Sequence, residues 1–184
     1  MRISKNYYLF GTVILFIVLI SLVFFFFNPE EIVAQVGVKN TYLVVFLISA
    51  IGGLSTLTGG AVFTTIATFA AGGASSLGLT LAGGAGIFIS DSIFYFLVQY
   101  GLKSIPTTWE NSIEKMRKWI VRHPDWMVLL GTYIYISFTP LPNDLLMIGL
   151  VIGGYSYKKI VWVLLAGSLT VAFLTTYLGN VILN

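Results

Sequence analysis

Two acids stand inside long apolar runs of this chain, and they are the residues with the clearest capacity for chemistry. Asp91 lies in Ile89-Ser90-Asp91-Ser92-Ile93-Phe94-Tyr95, and Asp144 closes Phe138-Thr139-Pro140-Leu141-Pro142-Asn143-Asp144. A carboxyl at membrane depth is expensive, so each is expected to face protein or water, where it can carry a proton or hold a cation. Each also has a structural alternative. Asp144 can cap a helix beginning at Leu145, and Asp91 can bond loose backbone. Neutral donors surround the two acids in sequence. Asn143 and Thr139 flank Pro140 and Pro142, and Tyr95 follows Asp91 by one helical turn. A second polar break carries Ser55, Thr56, Thr58, Gly59 and Gly60. Glycine at 59 and 60 permits close backbone approach. Half-helices starting after Thr58-Gly59-Gly60 and after Asn143-Asp144 would offer free N–H groups and a positive dipole end to an anion such as phosphate.

The composition removes other chemistries. There is no cysteine, and His123 is the single histidine. Thiolate sites and disulfides therefore have no residues to build them, and a single histidine argues against a histidine-based metal site or a His-dependent triad. No phosphate-binding loop, metal motif or nucleic-acid surface is present, and no arginine lies in the apolar regions. The expectation is a protein that is not an enzyme, with no catalytic residue, metal or cofactor. Hydrophobic residues make up 57% of the chain, charged residues 9%, and mean hydropathy is +0.92. Soluble domains carry about 25% charged residues. The class expected is an all-α integral membrane protein.

Five apolar regions would position these residues: 7–27, 41–72, 79–100, 126–155 and 159–182. The first, third and fifth are long enough to span a bilayer, which takes about 20 residues. The first follows Arg2 and Lys5, lacks an A-x-A cleavage site before Asn28-Pro29, and reads as a signal anchor. The second and fourth break at their centres, into halves too short to cross at about 1.5 Å per residue. Proline removes a donor and clashes with the preceding turn, and broken backbone at membrane depth must line protein or a cavity.

Charge placement orients them. Arg2, Lys5, Lys103, Lys115, Arg117, Lys118, Arg122, Lys158 and Lys159 share the cytoplasmic side only if regions two and four each return to the side they entered. Both are therefore expected to be re-entrant hairpins, the first from outside and the second from the cytoplasm. The N-terminus is placed in the cytoplasm and the C-terminus outside, in a membrane taken to be a prokaryotic plasma membrane.

A shift of 81 residues brings Gly72-Gly73 onto Gly153-Gly154, Ser75 onto Ser156, Ala85-Gly86 onto Ala166-Gly167 and Thr58 onto Thr139. The implied fold is an inverted repeat with two opposed re-entrant hairpins and about three full transmembrane helices. Its parts are an anchor and external linker at 1–40 and a membrane domain at 41–184. Within that domain, repeat one covers about 41–101 and repeat two about 126–182. Between them, 107–122 reads as a cytoplasmic amphipathic helix. It is opened by the capping box Thr107-x-x-Glu110, with Trp109, Ile113, Met116 and Ile120 at helical spacing.

Residues 41–182 resemble the DedA/VTT (SNARE-associated Golgi protein) superfamily. One motif is Gly86-x-x-x-x-Asp91-x-x-x-Tyr95-x-Leu97-x-x-Tyr100-Gly101. The other is Phe138-Thr139-Pro140-Leu141-Pro142-Asn143-Asp144, followed by Gly149. The resemblance implies two opposed hairpins and movement of lipids between leaflets, undecaprenyl phosphate or phospholipids, with proton coupling. The chain departs from the bacterial pattern: region 41–72 carries no charge, Ser137 and Asn143 stand where arginines are frequent, and Val98-Gln99 replaces a common Gly-Arg pair. The leading expectation is a flippase or scramblase for a phosphate-bearing lipid. Its site would be at the two tips, built from Asp91, Asp144, Asn143, Thr139, Pro140, Pro142, Tyr95, Ser55, Thr56, Thr58, Gly59 and Gly60. The alternatives are a proton-coupled small-solute or ion transporter and a non-transporting scaffold. The expected partners are membrane lipids and no nucleic acid, with homo-oligomerisation left open.

Overall fold

The computed structural model describes residues 40–54, 56–102, 110–139 and 143–182, except for the side chains of 56–58, 102, 110–113, 116 and 119. Residues 1–39, expected above to be an anchor and linker, and Ser55, Thr107, Trp109, Pro140, Leu141 and Pro142 lie outside the described residues. Among those described, every regular element is a helix. In chain order they are α1 (Thr41–Gly52), α2 (Thr56–Ala71), α3 (Ser76–Leu102), α4 (Glu110–Val121), α5 (Asp125–Phe138), α6 (Asn143–Ile152) and α7 (Tyr157–Ile182). Two stretches, Ser76–Gly101 and Tyr157–Ile182, are long and apolar enough to cross a membrane, at 26 residues each. The other apolar helices have 10 to 16 residues, which at about 1.5 Å per residue falls short of a bilayer core of about 30 Å.

Local chemistry sets the ends. Thr139 leaves α5 in an extended conformation, φ −108° and ψ 136°, as the residue before a proline must. Helices α2 and α6 stop at the two Gly-Gly pairs by the same hydrogen-bond pattern. Gly72 N donates to Thr68 O, Gly73 N to Ala70 O and Ala74 N to Phe69 O. Gly153 N donates to Gly149 O, Gly154 N to Val151 O and Tyr155 N to Leu150 O. The second glycine of each pair takes a left-handed φ, 82° at Gly73 and 77° at Gly154, which a side chain would oppose.

Packing follows the same exchange. Helix α1 lies on α3, and α5 lies on α7; α2 crosses to α7, and α6 crosses to α3. The most extensive pairing is α3 with α7. These two run antiparallel. Asn180 near the end of α7 bonds Ser76 at the start of α3 (3.0 Å), while Tyr157 at the start of α7 meets Ser92 far along α3 (2.8 Å). One apolar cluster joins Val45, Ile48, Val62, Ile66 and Leu79 to Ala172. The other joins Tyr95, Ile136, Met147 and Leu150 to Ile160 and Leu164.

Three boundaries differ from the sequence reading. Helix α2 starts at Thr56, so Gly59 and Gly60 lie inside it rather than before it. A mid-helix glycine costs only about 1 kcal/mol, and the burial of Val62, Ile66 and Ala70 outweighs two of them. Helix α6 starts at Asn143, which puts Asp144 in its first turn instead of at a cap before Leu145. The amphipathic helix ends at Val121 rather than at 122; residues 107–109 lie outside the described residues.

Candidate functional site at the paired turns

The turn after α1 and the start of α6 reach adjacent residues of α3. Gly53, just past α1, sits so close to Ser90 that a Cβ on it would collide with the Ser90 hydroxyl. Asn143, the first residue of α6, donates its amide to both oxygens of Asp91, at 3.4 and 3.5 Å. Both breaks thus converge on Ser90-Asp91. Asp91 is 2% exposed, and Asp144 lies within electrostatic reach of both Asp91 and Tyr135. By sequence, no lysine or arginine occurs within 41–102 or 123–157. Two carboxyls so placed make this an acidic site among apolar helices.

Among the described residues, the hydroxyls of Ser49 on α1 and Ser90 on α3, which flank Gly53, and of Ser137 on α5 are buried without a hydrogen-bond partner. A buried hydroxyl left unmatched costs free energy, so these groups favour a bound polar species. Thr56 and Asn143 open helices whose first N–H groups face the breaks.

Of the residues singled out from sequence, Asp91, Asn143 and Asp144 come together. Tyr95 and Thr139 bond elsewhere. The Tyr95 hydroxyl donates to the Tyr155 carbonyl (2.7 Å), tying α3 to the second Gly-Gly turn, and Thr139 bonds back to Tyr135 O (2.6 Å). Among the described residues a Cβ on Gly59 or Gly60 would meet nothing within 4 Å, so no described group makes the close approach those glycines permit. Ser55, Pro140 and Pro142 lie outside the described residues, as do the side chains of Thr56 and Thr58. Ser49, Gly53, Ser90 and Ser137 were not singled out as candidates. Gly53 and Ser90 were legible in principle, one beside a break and the other beside the acid.

The opposite end of the α5–α6 pair is closed by charge. Asp125 accepts from Lys159 Nζ at 2.7 Å and from the Tyr155 hydroxyl at 3.1 Å. The Lys159 ammonium first, then the Tyr155 hydroxyl, hold the Asp125 carboxyl below the usual carboxylate range. The α1–α2 pair has a neutral counterpart, in which Ser75 N donates to the Tyr42 hydroxyl at 3.1 Å.

No family model matches the chain, and no curated protein or solved structure matches it.

Proposed function

We propose that the chain is a membrane lipid transporter, a flippase or scramblase of the DedA/VTT type, moving a phosphate-bearing lipid between leaflets. The observation that carries this is the convergence of both helix breaks on Ser90-Asp91. In this reading α1–α2 and α5–α6 are re-entrant hairpins entering from opposite sides, in a prokaryotic plasma membrane with the C-terminus external. The antiparallel α3–α7 pair, the exchanged packing and the matched Gly-Gly turns support an inverted repeat, an architecture transporters use with broken helices near the midplane. The headgroup would enter between the tips, bonded by Asn143, Ser90 and Ser137, while its chains stay in hydrocarbon. Asp91, buried beside Asn143, accepts an anion next to it only when its charge is neutralised, which links headgroup entry to proton uptake.

Vesicles reconstituted with the protein and a fluorescent phospholipid test the reading. Transbilayer movement should exceed that of protein-free vesicles, and Asp91→Asn should lose its dependence on pH. Equal movement with and without protein would sink it. The acid pair also favours a second reading, a proton- or cation-coupled small-solute transporter. Proton flux that tracks an added solute while lipid stays in place would select that one.

A further inference from the structure

The described lysines and arginines gather at one end of the molecule. Lys115, Arg117, Lys118 and Arg122 lie on α4 or just past it, Lys158 and Lys159 open α7, and all six are exposed. Ile120 joins the two groups: it is buried, and a Cβ on Gly153 would stand 2.8 Å from its side chain. By sequence, the acids at this end are Glu110, Glu114 and Asp125, so the six cations outnumber them. Glu114 reaches Arg117 and Lys118 only at 3.8 Å, and exposed pairs of that kind are worth little. The opposite end, where α3 begins and α7 finishes, has no charged side chain among the described residues.

Two tryptophans mark a depth just inside the cations. The Asp125–Lys159 contact sets the first residues of α5 and α7 level with each other. Trp126 follows Asp125 by one residue and Trp162 follows Lys159 by three; they are 66% and 74% exposed. On α4, exposed Val121 shares a shallow cleft of about 500 Å³ with Glu114, Arg117, Lys118 and Arg122. Cationic and apolar groups therefore alternate over a short distance at this end.

We infer that this end is a docking surface for the anionic headgroup layer of the leaflet around it, with α4 seated on that layer. Charge complementarity and the tryptophans choose the occupant. A nucleic acid or an acidic protein would meet the cations but offer nothing to the two exposed indoles beneath them. A leaflet offers anions at its surface and apolar matter below, and indole rings favour that boundary. Cations close to an anionic leaflet are drawn to it within about a Debye length. Because Ile120 packs against Gly153, the seating of α4 bears on the second Gly-Gly turn. The inference rests on the membrane reading and not on lipid transport, since these lipids surround the protein and are not its cargo.

The chain has no cysteine, so Val121→Cys gives the full-length protein one site for an environment-sensitive fluorophore. The labelled protein is placed in lipid nanodiscs of phosphatidylcholine, alone or with phosphatidylglycerol, and acrylamide quenching reads the fraction of α4 that is seated. Quenching should fall as anionic lipid rises and recover in about 1 M salt, where the Debye length is about 3 Å. Arg122→Gln should lower the seated-to-free ratio about five-fold, the factor one cation near such a surface provides, while Arg122→Lys preserves it. Thermal unfolding in detergent should not change in either variant, since Arg122 is exposed. Quenching indifferent to lipid charge, or protection that survives both salt and Arg122→Gln, overturns the docking. Protection in phosphatidylcholine nanodiscs by added RNA or polyglutamate assigns the surface to a soluble partner and overturns it too. Protein that does not enter nanodiscs at all sinks the membrane reading itself, which is a separate failure.

Discussion

The two helical hairpins share a turn, a packing partner and an offset in sequence, yet they are finished differently. In the first, α1 and α2 close through Val45, Ile48, Val62 and Ile66, and the base is tied by the neutral Tyr42–Ser75 contact. In the second, α5 and α6 leave a groove, and the base is latched by Asp125 and Lys159. The difference teaches that like Gly-Gly turns supply the frame, while side-chain volume and charge decide which pair of helices leaves space between its limbs. A filled pair resists separation through buried area. A splayed pair relies on its ends, and those ends carry the polar contacts, Asn143 to Asp91 at the tip and Asp125 to Lys159 at the base.

The largest expected effect breaks the likeness at the glycines beneath the first limbs. A methyl at Gly86 would stand 2.5 Å from the Ser49 Cβ and 2.6 Å from the Phe46 carbonyl oxygen, whereas one at Gly167 would meet the Ile136 side chain at 2.8 Å. Backbone cannot yield as a side chain does. Gly86→Ala should therefore destabilise by about 3 kcal/mol and Gly167→Ala by about 1 kcal/mol, the two ends of the usual overpacking range. Thermal unfolding in detergent measures both, and equal losses would erase the distinction.

A smaller effect separates the tyrosine contacts made just after the two Gly-Gly pairs. Tyr95→Phe leaves the buried Tyr155 carbonyl unmatched and should cost about 1–2 kcal/mol. Tyr42→Phe removes an exposed bond to Ser75 N and should be close to neutral by the same measurement.

The smallest effect is electrostatic. Asp125 is held below its usual range by Lys159 and Tyr155, so the latch contributes stability above the unfolded carboxylate value of about 3.9 and loses it as pH falls through the lower folded value. At neutral pH, Asp125→Asn should unfold slightly earlier than the wild type. The gap should narrow on acidification below about pH 4 and with added salt, since the pair is exposed. A gap that widens in acid would overturn the assignment.

Much of the frame was legible because it is written in local chemistry. Paired glycines at 72–73 and 153–154 announce helix ends, Pro140 forces Thr139 out of the helix, and apolar length separates the two long helices from the short ones. Asp91 stood out because an acid in an apolar run needs a reason. Other features depend on partners distant in the chain. Nothing near Gly53 says that it abuts Ser90, and nothing near Tyr95 says that its hydroxyl serves a turn in the other half. The start of α2 was misplaced because glycine was read as a stop, when the core behind Val62 and Ile66 carries the helix through it. The groove was illegible for the same reason. Gly131 and Gly149 look like ordinary small residues until α5 and α6 are set side by side.

The crossing of the second limbs has a consequence for how the protein is made. Helix α2 rests on α7, and α6 rests on α3, so each half lends its long helix to the other. During synthesis α2 can settle at once on α1 and α3, but the face that meets Ala172 and Gly179 of α7 waits until nearly the last residues arrive. Helix α6 emerges after its partner α3 is already made. Assembly therefore ends with the docking of α7 against α2 and α3.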